Sequence, residues 1–307
     1  MAKVRLATFN CENLFRRYKF NSKNAAEIDS AVKDGFILDT KKFEIVLDDA
    51  RTLTAKAIKD LKADIICLQE VESMDTLKNF NAQYLSSLGY KYKYLIDGND
   101  PRLIDVAILS KYEADYIKTH QFKRTTDNKS YVFSRDCLEA QFTIDGKTFT
   151  VFVNHFKSMM GGRDETKARR AEQAEEVIKI LQNKYGNKIS KEKFAVVGDL
   201  NDYEEGNTSL SALLNNNNVE NIVKRLKPSE QWTHWWDGAP KNEVDIRQID
   251  YIFISKAWAN ANPNAKPTIN RKGLGISAPT TIKRYPEITD DKTVASDHCP
   301  VVIELEL

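Results

Sequence analysis

The stretch Asp64-Ile65-Ile66-Cys67-Leu68-Gln69-Glu70-Val71 decides how the rest of the chain is read. Its run of apolar residues, bounded by acids, predicts a strand buried on both faces, the kind found inside an α/β layer. Cys67 lies within that run and reads as a small core residue. The strand ends on a carboxylate, Glu70. A charge in that position is either solvated or a ligand. Upstream, Ile45, Val46, Ala50, Leu53, Ala57, Ile58 and Leu61 recur at helical spacing and predict a helix from Lys42 to Lys62. Downstream, Met74 to Leu88 predicts a second helix, stopped by Gly89.

The same pattern of an apolar strand ending on a polar residue recurs. Val4 to Phe9 leads into Asn10. Asp105 to Ser110 is a strand with Arg102 and Asp105 at its entrance. Asn128 to Ile144 reads as a strand pair or one long strand, turned by the hairpin signal Asp145-Gly146. Thr148 to Val153 then runs into Asn154-His155. A helix from Glu165 to Lys184 follows the Met159–Arg163 loop, with Ala168, Ala171, Ala174, Val177, Ile178 and Leu181 on one face. Phe194 to Val197 ends in Gly198-Asp199-Leu200-Asn201. Gln248 to Ile254 carries Asp250 near its start. Ser296-Asp297-His298-Cys299-Pro300 precedes the C-terminal strand Val301 to Leu307. Trp232, Trp235 and Trp236 are expected to pack in the core.

The totals narrow the class. The chain has 307 residues, 41% hydrophobic and 29% charged, with a net charge of +2. This is an ordinary globular composition without the global charge of a polyanion binder. No linker rich in Gly or Ser divides it, so one domain spanning residues 1–307 is expected. Cys11, Cys67, Cys137 and Cys299 are too dispersed for a metal or disulfide framework, which suits a reducing compartment. No apolar run approaches a membrane span. With no signal-peptide pattern at the N-terminus, a cytoplasmic location is expected.

Glu70, Asp199, Asn201, Asp250, Asp297 and Asn10 are hard oxygen donors, which suit magnesium, manganese or calcium rather than zinc. His155 and His298 also stand at strand ends. Imidazole is a poor magnesium ligand and a good proton carrier near neutral pH. A divalent metal, two imidazoles and amide donors together suit hydrolysis of a phosphate ester.

Thr8-Phe9-Asn10, Leu68-Gln69-Glu70, Val106 to Ser110, Asn154-His155, Gly198 to Asn201, Ile249-Asp250-Tyr251 and Ser296-Asp297-His298 occur in an order that resembles the endonuclease/exonuclease/phosphatase superfamily. That superfamily includes pancreatic-type deoxyribonuclease, exonuclease III-type nucleases, neutral sphingomyelinases and inositol-polyphosphate phosphatases. The resemblance implies an α/β four-layer sandwich: two mixed β-sheets packed face to face, with helices on the outer faces. It implies that Glu70 is the main metal carboxylate, with Asn10 and Asp297 beside the metal, and that Asp199 and Asn201 face the scissile phosphate. His298, oriented by Asp250, resembles the histidine that activates water. His155 stands where exonuclease III-type enzymes have a tyrosine, as in the deoxyribonuclease and sphingomyelinase branches, and Asp105 is its candidate orienting group. Arg247-Gln248-Ile249-Asp250 departs from the inositol-phosphatase pattern, and Gln248 departs from the exonuclease III pattern. Residues 16–52 have no counterpart and read as an insertion.

For the substrate, the reading favours a Mg²⁺- or Mn²⁺-dependent nuclease, with DNA preferred to RNA. Arg16, Arg17, Lys19 and Lys23 follow the Asn10 strand. Arg102, Lys157, Arg163 and Arg170 flank the other strand ends and are candidate contacts to a phosphate backbone. The alternative is a phosphodiesterase or phosphatase acting on a lipid headgroup or small molecule. No segment suits a membrane surface, so stable membrane association is not expected. A third reading, a binding module on an inactive scaffold, is disfavoured because every polar position of the catalytic set is present.

Overall fold

A computed structural model of the chain describes residues 2–14, 18–20, 43–45, 48–236 and 245–307. Most of the 16–52 insertion, with Arg16, Arg17 and Lys23, lies outside the described residues. Two six-stranded mixed sheets make up the centre. The first has the order β15 (Thr268–Ile269), β16 (Val301–Glu306), β1 (Lys3–Leu14), β4 (Ile65–Val71), β6 (Asp105–Ser110), β5 (Tyr92–Leu95). The second has the order β11 (Val219–Asn221), β14 (Asp250–Ser255), β10 (Phe194–Asp199), β9 (Lys147–His155), β8 (Leu138–Ile144), β7 (Tyr116–Lys118). Two short ribbons stand apart, β2 (Tyr18–Phe20) with β3 (Phe43–Ile45) and β12 (His234–Trp236) with β13 (Asp245–Arg247).

Strand side chains alternate between faces, and here the alternation sorts the core into layers. Val4, Leu6, Ile65, Cys67, Val106, Ile108, Val151, Val153, Ala195, Val197, Ile252 and Ile254 meet between the sheets. Their neighbours Ala7, Phe9, Ile66, Leu68, Ala107 and Leu109 face outward with residues of helices α1 (Asp48–Leu61) and α2 (Met74–Tyr84). Phe152, Phe194, Val196, Tyr251 and Phe253 face the other way, with residues of α3 (Arg163–Tyr185) and the short α4 (Ser211–Leu214). Burying each large apolar side chain contributes about 1.5–3 kcal/mol. The two-sided burial predicted for Ile65–Leu68 is what a central strand between helix and sheet requires. This is the expected four-layer sandwich.

Local signals account for the connections. Asp145 and Gly146 both take positive φ, 48° and 73°, as a two-residue primed hairpin turn demands. Gly89 at φ 76° closes the turn after α2. Three expectations need correction. The helix predicted from Lys42 begins at Asp48, because Phe43–Ile45 pairs with Tyr18–Phe20 as a strand. Asn128–Cys137 is not strand: apart from the bridge of Tyr131 to Arg124, it is a loop whose Val132 carbonyl accepts from Gln173 on α3. Trp236 is 45% exposed rather than core. Trp232 and Trp235 do pack, against the small cluster of Leu274, Ala278 and Cys299.

Candidate active site

Strand parity places the site. Asn10 continues the inward series Val4-Leu6-Thr8. His155 continues Val151-Val153, Asp199 continues Ala195-Val197, and Asp250 precedes Ile252-Ile254. Each polar residue is the next inward position after the intersheet core ends, so all four meet at one mouth of the sandwich. Register aligns them further: Asp199 pairs with His155 on one side and with Asp250 on the other. The approach of β10 to β9 requires glycine at position 198. A Cβ there would lie 1.9 Å from the Asn154 carbonyl oxygen.

Glu70 has the opposite parity. Gln69 is the inward residue, reached by the Thr8 hydroxyl at 3.2 Å. A register shift between Leu68 and Val71, with Glu70 at φ 62°, brings the carboxylate back towards the site. There Glu70 Oε2 accepts from the Asn13 N–H at 2.9 Å. Positive φ at a residue other than glycine is strained, and this strain sits at a candidate ligand.

The groups converge on two atoms. Asn10 Nδ2 lies 3.0 Å from Asp199 Oδ2, 3.4 Å from Glu70 Oε1 and 3.4 Å from His298 Nε2. Asp199 Oδ2 also accepts from Asn201 Nδ2 at 2.9 Å and stands 3.4 Å from His155 Nε2. Asn201 reaches it at φ 51°. His298 Nδ1 lies 2.9 Å from Asp250 Oδ2, which leaves Nε2 turned to the site. The Ser296 hydroxyl fixes the loop, donating to the Asn10 carbonyl at 2.8 Å and accepting from the His298 N–H at 3.0 Å.

The two imidazoles differ in charge. Burial, reinforced by Arg135 and Arg102, holds His155 well below the usual histidine range, so it is neutral. Burial also opposes charge on His298, but Asp250, Asp199 and Asp297 together raise it well above that range. Burial pushes Asp199 up to about 6, with Asp250 adding to the shift and His298 opposing it.

Residues 5–262 match the model of the Endonuclease/Exonuclease/phosphatase family. The chain belongs to that family. Its members are metal-dependent phosphodiesterases and phosphatases. No curated protein matches the sequence. Solved structures share the fold at low identity. TDP2 of D. rerio complexed with single-strand DNA product is 14% identical, at TM-score 0.60, with all of both chains covered (100% and 100%). The human Nocturnin catalytic domain with bound sulfate is 17% identical at TM-score 0.62, covering 99% of this chain and 94% of that one. A Bacteroides thetaiotaomicron mannosyl-6-phosphatase is 17% identical at TM-score 0.62, covering 99% and 100%.

The residues present fit the family's metal. Glu70 and Asp199 crowd one amide, and Asp297, 43% exposed at its side chain, opens the cluster to solvent. This surplus of carboxylate oxygen, with amides beside it, suits a hard divalent cation. No helix among the described residues is long and apolar enough to cross a membrane.

The flanking residues sort differently from expectation. Lys157 is half-buried, and its ammonium is lowered by burial and by Arg135 and Arg102. Arg102 pairs with Asp100 at 3.0 Å, within the influence of Glu70. Arg170 needs correction as a backbone contact, and Arg163 is already engaged within the protein. Arg163 is engaged by Asp202 at 2.6 Å and by the Tyr203 and Glu205 carbonyls. Arg170 is fully buried, bonded to Thr166, Ser209 and the carbonyls of Lys157, Ser158 and Arg163. Both guanidiniums hold the loops beside the site, and Arg170 has no exposed surface to offer a ligand. Asp105 is buried with its Oδ1 bonded to the Gly98 N–H at 2.8 Å, and burial pushes it up to about 7. No described hydrogen bond joins Asp105 to His155, whose buried Nδ1 has no partner.

Arg135 was not singled out from sequence, and His234 only as part of the Trp232–Trp236 aromatic run. Arg135, 2% exposed, lies 3.0 Å from Asp100 and bonds the Phe156 carbonyl at 3.3 Å. His234 packs against His298 with the rings tilted, centroids 4.7 Å apart. An Arg in a predicted strand and a His in an aromatic run carried no local signal of either contact.

Proposed function

We propose that the chain is a divalent-metal-dependent phosphodiesterase that acts as a nuclease on DNA, with water activated by His298 and Asp250. The observation that carries this reading is the Asp250–His298 pair, closed at Nδ1 and open at Nε2, facing Asn10 and Asp199 at the mouth of the sandwich. Glu70, Asn10 and Asp297 would hold the cation, with Asp199 and Asn201 beside it. When bound, a Mg²⁺- or Mn²⁺-like ion neutralises the non-bridging phosphate oxygens.

The protein's own groups then divide the work. Asp250 holds the Nδ1–H tautomer and stabilises the imidazolium that forms when Nε2 takes a proton from water. A cation held by Glu70 and Asp297 would offset the carboxylates that raise His298. Neutral His155 donates from Nε2 to a phosphoryl oxygen or to the leaving oxygen. Asn10 and Asn201 supply amide donors aimed by Asp199.

DNA is favoured by the local charge. Lys157, Arg102 and Arg135 gather on one flank of the site, where Asp100 pairs with both guanidiniums. A phosphate backbone would relieve that crowding. The DNA named with the D. rerio structure agrees with this reading. A small phosphate ester is the second reading, favoured by the phosphatase among the structural neighbours. The test is turnover of supercoiled DNA, linear DNA, RNA, sphingomyelin, sugar phosphates and inositol phosphates with Mg²⁺, Mn²⁺ or Ca²⁺. DNA cleavage is expected. Turnover confined to a lipid or sugar ester would replace the nuclease reading, and inertness on the whole panel would remove the hydrolase reading.

A further inference from the structure

Thr233, fully buried, ties β12 to the site. Its hydroxyl accepts from the N–H groups of Ile249 and Asp250 at 3.1 and 3.0 Å. Its carbonyl accepts from the Cys299 N–H at 2.6 Å, and the Trp235 N–H reaches the Asp297 carbonyl at 3.2 Å. These bonds set His234 directly opposite His298 in an antiparallel bridge. Residues opposed in this way bring their Cβ atoms to about 4.5–5.5 Å, so two imidazoles can reach one ion. Asp297 lies beside both, 3.6 Å from His234 Nε2 and 3.8 Å from His298 Nε2.

We infer that His234, Asp297 and His298 form a second, nitrogen-rich cation site that takes zinc-like borderline metals and, when filled, withdraws His298 from proton transfer. One donor atom from each residue lies within 4.8 Å of the others. Tetrahedral zinc with nitrogen and oxygen bonds near 2.0–2.2 Å spaces its ligands about 3.3 Å apart. The two nitrogen–oxygen separations, 3.6 and 3.8 Å, lie near that spacing. Asp250 already holds His298 Nδ1 at 2.9 Å, the carboxylate partner that ligating histidines ordinarily have on their other nitrogen. Two imidazoles and one carboxylate leave a fourth position for water. Such a set disfavours Mg²⁺, which prefers oxygen. Asp297 is shared with the oxygen-rich set of Glu70 and Asn10, so filling one site weakens the other.

The test is a binding measurement and does not depend on any substrate. Protein without and with Mg²⁺ is titrated with Co²⁺, read by the visible absorption of the bound ion, and with Zn²⁺, read by equilibrium dialysis. Wild type is expected to bind one equivalent with the absorption of a four-coordinate site. His234→Phe keeps a ring against His298 and His234→Gln keeps a polar side chain. Both should weaken that affinity by more than the roughly 10–100-fold typical of losing a second-shell partner. Unchanged affinity in both variants, or no four-coordinate absorption from wild type even without Mg²⁺, would overturn the site.

Discussion

His298–Asp250 and His120–Glu139 are the same pair of groups in two settings. The first measures 2.9 Å at the mouth of the sandwich and the second 2.8 Å beside β7 and β8. At the second, the charge is compensated. Glu139 accepts from the Tyr116 hydroxyl at 2.6 Å and pairs with Lys184 at 3.0 Å. Although burial opposes ionisation, His120, Tyr116 and Lys184 pull its carboxyl down to about 2. At the first, three carboxylates surround one imidazole and raise it. A buried imidazole–carboxylate pair does not itself mark a site. The mark is charge that the protein leaves unbalanced, available to a cation and a substrate.

The comparison is broken first by removing the cation. Chelation should abolish turnover and leave the His120–Glu139 region intact, with Mg²⁺ or Mn²⁺ restoring activity. Glu70→Ala should weaken metal affinity, measured by calorimetry, with the thermal midpoint nearly unchanged because Glu70 is not core. Full activity in excess chelator would contradict the account.

Next in size are the imidazoles. His298→Ala and His155→Ala should each lower kcat by on the order of 10²–10⁴-fold. The double variant should fall short of the product of the single losses, because groups acting as a unit are not additive. Equal losses of thermal midpoint and rate would instead assign both to structure.

At the remote pair the effect should be on stability. Glu139→Ala strands His120 and Lys184, and breaking a buried pair costs roughly 3–5 kcal/mol. Lys184 is 21% exposed, so the lower end is expected, read by denaturant unfolding. The pH dependence has a definite sign. The folded carboxyl lies at about 2 against an ordinary 4.5, so its stabilisation is complete above 4.5 and is lost as pH falls through about 2. Wild type should lose more stability over that window than Glu139→Gln. The smallest effect concerns substrate contact. Lys157→Glu should reduce DNA cleavage more than cleavage of a small chromogenic diester, and should flatten the salt dependence by about 0.9 in log–log slope if one duplex phosphate contact is lost. Equal losses on both substrates would favour the small-ester reading.

Much of this was legible in the sequence, for a physical reason. The strands β1, β9, β10 and β14 carry apolar residues at alternate positions, and parity brings Asn10, His155, Asp199 and Asp250 to one mouth. What was not legible is tertiary. Tyr116-Ile117-Lys118 is too short to declare a strand. The turn of Glu70 depends on a bulge, which parity alone would contradict. Arg170 occupies a charged stretch of α3 and reads as a phosphate contact until Lys157, Ser158 and Ser209 close over it. Position 234 meets 298 only through a bridge between segments distant in sequence.

The most direct measurement compares Asp250→Asn with Glu139→Gln, taking kcat on DNA and the thermal midpoint of each beside wild type. Asp250→Asn should lose kcat by on the order of 10²-fold or more and keep its midpoint, while Glu139→Gln should lose midpoint and keep kcat. An Asp250→Asn protein with near-native kcat, or a Glu139→Gln protein that stays fully stable yet loses turnover, would contradict the account.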